Sequence, residues 1–257
     1  MKVQTLNPSE RLKSIVSSFT IIETAGVMET MVLPHLGLVL AIQLTGKVFM
    51  NTKNDTVSIA PFTISGQRNT FRSFSYKPNT KTLLISFTAT GAYSIFGEAV
   101  YELYENAEPL ENIKTSTRVD ELLDKLSLSN SNQDMIRIIE AFLIGETHKM
   151  EADKLILASI ERMRNKKGIY KIKELSSELN ISQDAFEKRF RKVVGSTPKQ
   201  FSTVIKMKEV IKSKNNHKLL TDLGYSFDFF DQSHFIKQFK EFTGQTPKQF
   251  FSHQYIW

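Results

Sequence analysis

The chain has no cysteine among its 257 residues, which excludes a disulfide framework and any thiolate metal site. No apolar run reaches the roughly 18 residues that a membrane-spanning helix needs. The first residues also lack the basic-then-apolar order of a signal peptide, so a cytoplasmic protein without membrane contact is expected. Glycine-rich phosphate loops and nucleophile-elbow motifs are missing. The five histidines, His35, His148, His217, His234 and His253, show no metal-ligand spacing. With no catalytic constellation in view, the chain reads as a non-enzyme that needs no cofactor.

What is present is charge, unevenly placed. The net charge is +7, and the length suffices for two domains, each with its own core. Residues 166–257 hold 17 Lys and Arg against 9 Asp and Glu, whereas the preceding 165 residues hold 17 against 18. The whole excess lies on the C-terminal third. Such a footprint suits a nucleic acid, because neutralising phosphates releases condensed counterions. Charge alone would equally describe a solvated lysine-rich surface, and the distinction rests on pattern.

One pattern is written twice. Phe186-Glu-Lys-Arg-Phe190-Arg191 leads to Gly195-Ser-Thr-Pro198-Lys199-Gln-Phe201, and Phe235-Ile-Lys-Gln-Phe239-Lys240 leads to Gly244-Gln-Thr-Pro247-Lys248-Gln-Phe250. The offset is 49 residues throughout, so one supersecondary unit is used twice. Ser182 and Asp231 stand where an N-cap belongs. Phenylalanines four apart share a helix face, leaving the cations on others. Gly195 and Gly244 stop each helix, and Pro198 and Pro247 open the next. Upstream, Ile172 to Asn180 forms a short amphipathic helix ending in a residue that tolerates the left-handed conformation. Helix, tight turn and capped basic helix make a helix-turn-helix, and Leu219 to Phe227 prefaces the second copy likewise. Pro198 to Ser213 is the long helix joining the two modules.

At these residues the chain resembles the AraC/XylS family of bacterial transcription regulators, most sharply along Phe229-Phe-Asp-Gln-Ser-His-Phe-Ile-Lys-Gln-Phe-Lys-Glu-Phe-Thr-Gly-Gln-Thr-Pro-Lys-Gln-Phe250. The resemblance covers roughly residues 166 to 252. Two departures stand out: Asp228 replaces a common turn glycine, and Gly224 replaces a small residue that is usually alanine. Gly inside a short helix costs about 1 kcal/mol against Ala, so the second unit is expected to be the less rigid. The resemblance implies base readout by Asp184, Glu187 and Lys188, with Gln232, Ser233 and Lys237 in the equivalent places of the second helix. A lysine suits guanine acceptors, a carboxylate the cytosine amine and glutamine an adenine edge. Arg191, Lys192, Lys199, Lys240 and Lys248 are assigned to the phosphate backbone, supplying affinity without sequence information. If the joining helix spaces the recognition helices by about 34 Å, both enter successive major grooves.

Residues 1 to about 90 read as short strands: Ile15–Ile22, Val27–Leu33, Leu36–Leu44, Thr56–Ile59, Thr70–Tyr76 and Thr82–Phe87, rich in β-branched and aromatic residues and separated by Gly, Pro and Asn54-Asp55. A small barrel or sandwich follows. The family often places a cupin-like domain here. Ile64-Ser-Gly-Gln-Arg68, Leu83-Leu-Ile-Ser-Phe87, Gly91-Ala-Tyr-Ser-Ile-Phe-Gly97 and Glu108-Pro-Leu-Glu-Asn-Ile113 look like a sensor domain of some AraC-like proteins. Phe62, Phe71, Phe74, Phe87 and Phe96 read as core, with an apolar pocket as the alternative. Arg68, Arg72 and His35 read as ordinary turn and loop residues, with an anionic effector site as the alternative.

From Thr117 to about Arg164 the period becomes helical: Val119, Leu122, Leu123 and Leu126; Met135 to Leu143; and Leu155, Ile156, Ile160 and Met163, stripes that read either as intramolecular core or as a dimer interface. Asn165-Lys-Lys-Gly168 is a polar hinge. The fold expected is α+β: a β-rich cupin-like barrel or sandwich over residues 1–114, a helical linker and dimerisation segment over 115–165, and an all-α double helix-turn-helix domain over 166–257. The function expected is an effector-responsive regulator that binds double-stranded DNA, contacts RNA polymerase and forms a homodimer. The alternative is a regulator whose N-terminal domain is a structural or protein-interaction module without a ligand.

Overall fold

The computed structural model describes residues 1–52, 55–113, 116–147, 153–214 and 220–252. Asn54, His148, His217, Leu219 and His253, used above, lie outside them. Among the described residues the strands are β1 (Lys2–Leu6), β2 (Val16–Thr24), β3 (Met28–Val32), β4 (Val39–Thr45), β5 (Val48–Asn51), β6 (Thr56–Ser58), β7 (Phe62–Ser65), β8 (Arg72–Tyr76), β9 (Thr80–Phe87) and β10 (Ala107–Pro109). They form a six-stranded sheet ordered β1-β2-β9-β4-β7-β10 and a four-stranded sheet ordered β3-β8-β5-β6. Every pairing is antiparallel.

Register explains the core. Phe19 pairs with Ile85 and Ile21 with Leu83; Leu40 and Ile42 pair with the same two residues and with Ile64 and Phe62 on their other side. Because side chains alternate along a strand, all eight share one face, and all eight are buried. Short helices α1 (Tyr93–Phe96) and α2 (Ala99–Glu102) follow β9, then α3 (Ser116–Ser127) and α4 (Asn132–Glu146). Val119, Leu122, Leu126, Met135, Ile139 and Leu143 of these last two helices close the same core. Phe62, Phe87 and Phe96 belong to it, as read from sequence, while Phe71 and Phe74 are only half-buried.

Two further cores hold the C-terminal helices. Helix α5 (Lys154–Asn165) packs Ile156, Ile160 and Met163 with Leu175, Phe186, Phe190, Phe201 and Ile205. It therefore shares a core with the first module. The 165–168 segment is no free hinge: a Cβ on Gly168 would meet backbone atoms of Ser202 and Lys206. The second module's core comprises Val204, Met207, Val210, Leu223, Phe235, Phe239, Phe242 and Phe250.

Candidate nucleic-acid interface

The first module consists of α6 (Ile172–Glu178) and α7 (Gln183–Val194), and the second of α9 (Leu220–Ser226) and α10 (Gln232–Thr243); α8 (Pro198–Ser213) joins them, and α11 (Pro247–Ser252) closes the second. The tight turns pass through Asn180 at φ 53° and Asp228 at φ 55°, the left-handed conformation that short polar side chains tolerate. Asp228 thus does the work of a glycine. Next comes the cap. The Ala185 amide donates to Ser182 Oγ at 3.3 Å, and the His234 amide donates to Asp231 Oδ1 at 2.7 Å, satisfying an orphan donor at the start of each recognition helix.

The other end repeats as well. Gly195 at φ 89° and Gly244 at φ 80° terminate α7 and α10 in the left-handed region, where a side chain is strained. Beyond each lies a reciprocal capping box: the Gln200 amide donates to Thr197 Oγ1 at 3.2 Å while the Thr197 amide donates to Gln200 Oε1 at 2.8 Å. Thr246 and Gln249 repeat it at 3.4 and 3.1 Å. Thr-x-x-Gln is the sequence signature of this device, legible without any structure. Helix α8 then serves both modules with different faces. Phe201 and Ile205 enter the first core; Val204, Met207 and Val210 enter the second.

With the phenylalanines inward, polar groups face out. Asp184 and Lys188 are exposed and Glu187 is half-buried; Gln232, Ser233 and Lys237 are all exposed. Gln183 Nε2 donates to Glu187 Oε1 at 2.8 Å. Lys199, Lys240 and Lys248 are exposed. Lys192 is paired with Glu98 at 2.6 Å, and Arg191 lies over the Tyr101 ring at 5.7 Å. His234 packs against the Phe229 ring at 5.7 Å. Arg189, which sequence analysis left unassigned, donates to both carboxylate oxygens of Asp153 at 2.5 and 2.9 Å. Asp153 also caps α5 by accepting from the Ile156 amide at 3.1 Å. One carboxylate thereby ties α7 to α5, and no local sequence signal links residues so far apart.

The β domain meets the two modules directly. Ser196 donates its hydroxyl to Gln67, and Gln67 donates to the Leu36 carbonyl; Ser196 and Gln67 are both buried. Arg68, read from sequence as an exposed turn residue, is buried instead. Its guanidinium donates to the carbonyls of Val32, Leu33 and Thr70 at 3.1 to 3.2 Å, and burial pulls its pKa down to about 10. Arg72 donates to the Glu105 carbonyl at 2.5 Å. Next to Arg68, a cavity of about 870 Å³ is lined by His35, Phe87, Arg164 and Lys208, among others. Burial lowers the Lys208 pKa, and the charges of Lys212 and Arg68 add to it. His35 is pushed down to about 4, first by burial and then by Lys208.

Residues 175–253 match a family described as a helix-turn-helix domain. A comparison with curated proteins finds no match. Among solved structures, one of ToxT from Vibrio cholerae aligns over 97% of this chain and 98% of its own at 11% identity and a TM-score of 0.44. The AraC-like transcriptional activator CuxR aligns over 82% and 86% at 10% identity and a TM-score of 0.30. A cupin superfamily protein from Desulfitobacterium hafniense covers 34% of this chain and 78% of its own, at 13% identity and a TM-score of 0.25. Among the described residues, no helix is long and apolar enough to cross a membrane.

Proposed function

We propose, from the premise that residues 175–253 form an AraC-type helix-turn-helix domain, that the protein is a sequence-specific transcription regulator reading two successive major grooves. The observation that carries this reading is the duplicated geometry of α7 and α10, with the same caps, the same left-handed stops and outward polar faces on both. In this reading Asp184, Glu187 and Lys188 meet base edges in one groove, and Gln232, Ser233 and Lys237 in the next. Arg191, Lys192, Lys199, Lys240 and Lys248 hold phosphates.

Binding-site selection with the purified chain tests the reading, and half-site spacing reports whether it binds as a dimer. Against the selected duplex, Lys188→Ala is expected to cost about 1–3 kcal/mol and relax preference at one base position. A uniform loss across sequences would reassign Lys188 to phosphate. Lys240→Ala is expected to leave preference intact while the slope of log K against log salt becomes shallower by about one unit; a changed base preference would count against the backbone role.

The regulator reading extends to a small-molecule effector. Supporting it, Lys208 and His35 face one cavity beside Arg68, and the charges acting on the two are cations alone. A small anion there would relieve mutual repulsion at the junction of the β domain and α8. Contact with RNA polymerase and dimerisation through residues 115–165 complete the proposal; because the apolar faces of α3 and α4 lie in the β-domain core, the dimer would use their outer sides. The competing reading, a β domain without a ligand, predicts an empty thermal-shift screen over anionic small molecules.

A further inference from the structure

The two recognition helices are not equally free. Every base-reading residue of α10 is exposed. The β domain touches the second module with Leu33 and Leu36 against its core and with Phe71 at the far end of α10, where a Cβ on Gly244 would come within 2.9 Å of the ring, and the base-reading residues stay clear of both. Helix α7 is seated along α2 instead. Besides the Lys192–Glu98 pair and the Arg191–Tyr101 stack, a Cβ on Gly195 would stand 2.8 Å from the Val100 carbonyl oxygen, and Ser196 is tied to Gln67. Between the helices runs a groove of about 590 Å³. Glu98, Tyr101 and Glu102 form one wall, and Asp184, Glu187 and Lys188 stand on the other.

That groove cannot accept DNA. A helix reading the major groove enters a channel about 12 Å wide and 8.5 Å deep, flanked by two phosphate backbones. Here α2 already fills one flank, with Glu98 paired to Lys192 at 2.6 Å and the Val100 carbonyl 2.8 Å from where a Cβ on Gly195 would stand. The opposite wall has the wrong sign too, since Glu98 and Glu102 would face phosphates. The Glu98 carboxylate occupies the place of a phosphate against α7: the Lys192 ammonium, hydrogen-bonded to it, holds that carboxyl below its usual range.

We propose that the Glu98–Tyr101–Glu102 face of the β domain is an internal competitor for DNA at the first module, so that the second module engages first and α7 binds only after α2 and α7 separate. This rests on the DNA-binding reading above. The Lys192–Glu98 pair is exposed and so contributes little by itself; the negative wall, more than the pair, is what a change of charge should reveal.

The test uses full-length protein, the selected duplex and a duplex with the first module's half-site scrambled. Glu98→Gln/Glu102→Gln is expected to raise affinity for the full duplex by about 3–10-fold at physiological salt and for the scrambled duplex by less than about twofold; the control Glu111→Gln/Glu121→Gln, which removes as much charge away from the groove, should treat both duplexes alike. A gain equal on both duplexes, or none, overturns the proposal. Because the chain is free of cysteine, Glu98→Cys/Lys192→Cys can be bridged selectively by a bismaleimide. The bridged protein is expected to bind the full duplex no better than the scrambled one; unbridged protein of the same sequence, weakened equally on both duplexes by the loss of the Lys192 phosphate contact, is expected still to prefer the full duplex. Equal discrimination before and after bridging overturns the proposal and leaves the DNA-binding reading standing; a full-length chain that prefers no duplex at all overturns both.

Discussion

Phe239→Ala is expected to destabilise the second module by about 3–5 kcal/mol, while the first remains folded. Phe239 is fully buried. The rings of Phe235, Phe250 and Phe251 lie 5.7, 5.3 and 5.3 Å from it; the first two are edge-on, an arrangement that adds about 0.5–1.5 kcal/mol per pair beyond burial. Removing the ring leaves a cavity whose walls are α10, the helix proposed to read DNA, and α11, which closes the module. Phe190, its counterpart, sits in a separate core with Phe186 and Phe201. Hydrogen exchange should therefore show protection lost in α9 to α11 and kept in α6 and α7, with footprinting losing the second half-site only. Phe230→Ala is the control: at 89% exposure it should change stability by no more than about 0.5 kcal/mol. Uniform loss of protection would mean that α8 transmits the defect and the modules fold as one unit.

The C-terminal third was legible because its devices are local. A cap, a left-handed stop and an i, i+4 pair of phenylalanines are each written within a dozen residues, and each reappears in the structure at Ser182, Gly195 and Phe186/Phe190. The joining helix spans Pro198–Ser213, the bounds expected of it. Six strands with β-branched runs were legible for the same reason. Strands β1, β5, β7 and β10 were not, and length does not separate them from β3, β6 and β8, which are as short; their pairing partners fix them. Helices α1 and α2, one turn each, escaped notice although α2 faces the first recognition helix. The junction was illegible altogether. Arg68 looked like a turn residue because nothing nearby in sequence announces the carbonyls of Val32 and Leu33 that receive it, and Asp153 with Arg189 is likewise a meeting of distant residues.

Acid should loosen that junction, and His35 supplies the largest single titration. Its pKa is about 4 in the fold, lowered by burial first, then by Lys208 and, more weakly, Arg68, against 6.5 as the ordinary value. The Gly37 amide donates to its Nδ1 at 3.1 Å while the ring is neutral; the Gly37 carbonyl, 3.4 Å from the same nitrogen, accepts from a protonated ring and offsets part of the lowering. Above pH 6.5 folded and unfolded chains both hold a neutral ring, and the stability is fully present. Between 6.5 and 4 the unfolded chain takes a proton that the folded chain refuses, so stability falls as pH falls; below about 4 both are protonated and the loss is complete, at most about 3 kcal/mol. His35→Asn keeps an acceptor for Gly37 and removes the proton. Urea unfolding at pH 7 and pH 4.5 should therefore cost the wild type about 2–3 kcal/mol more than the variant, the variant subtracting the carboxylates that titrate over the same range. Equal losses would place the imidazole in solvent. An anion held between His35 and Lys208 would oppose this trend, because negative charge favours the imidazolium. The acid sensitivity of His35 should then shrink in its presence, which separates a true occupant of the cavity from a molecule bound elsewhere.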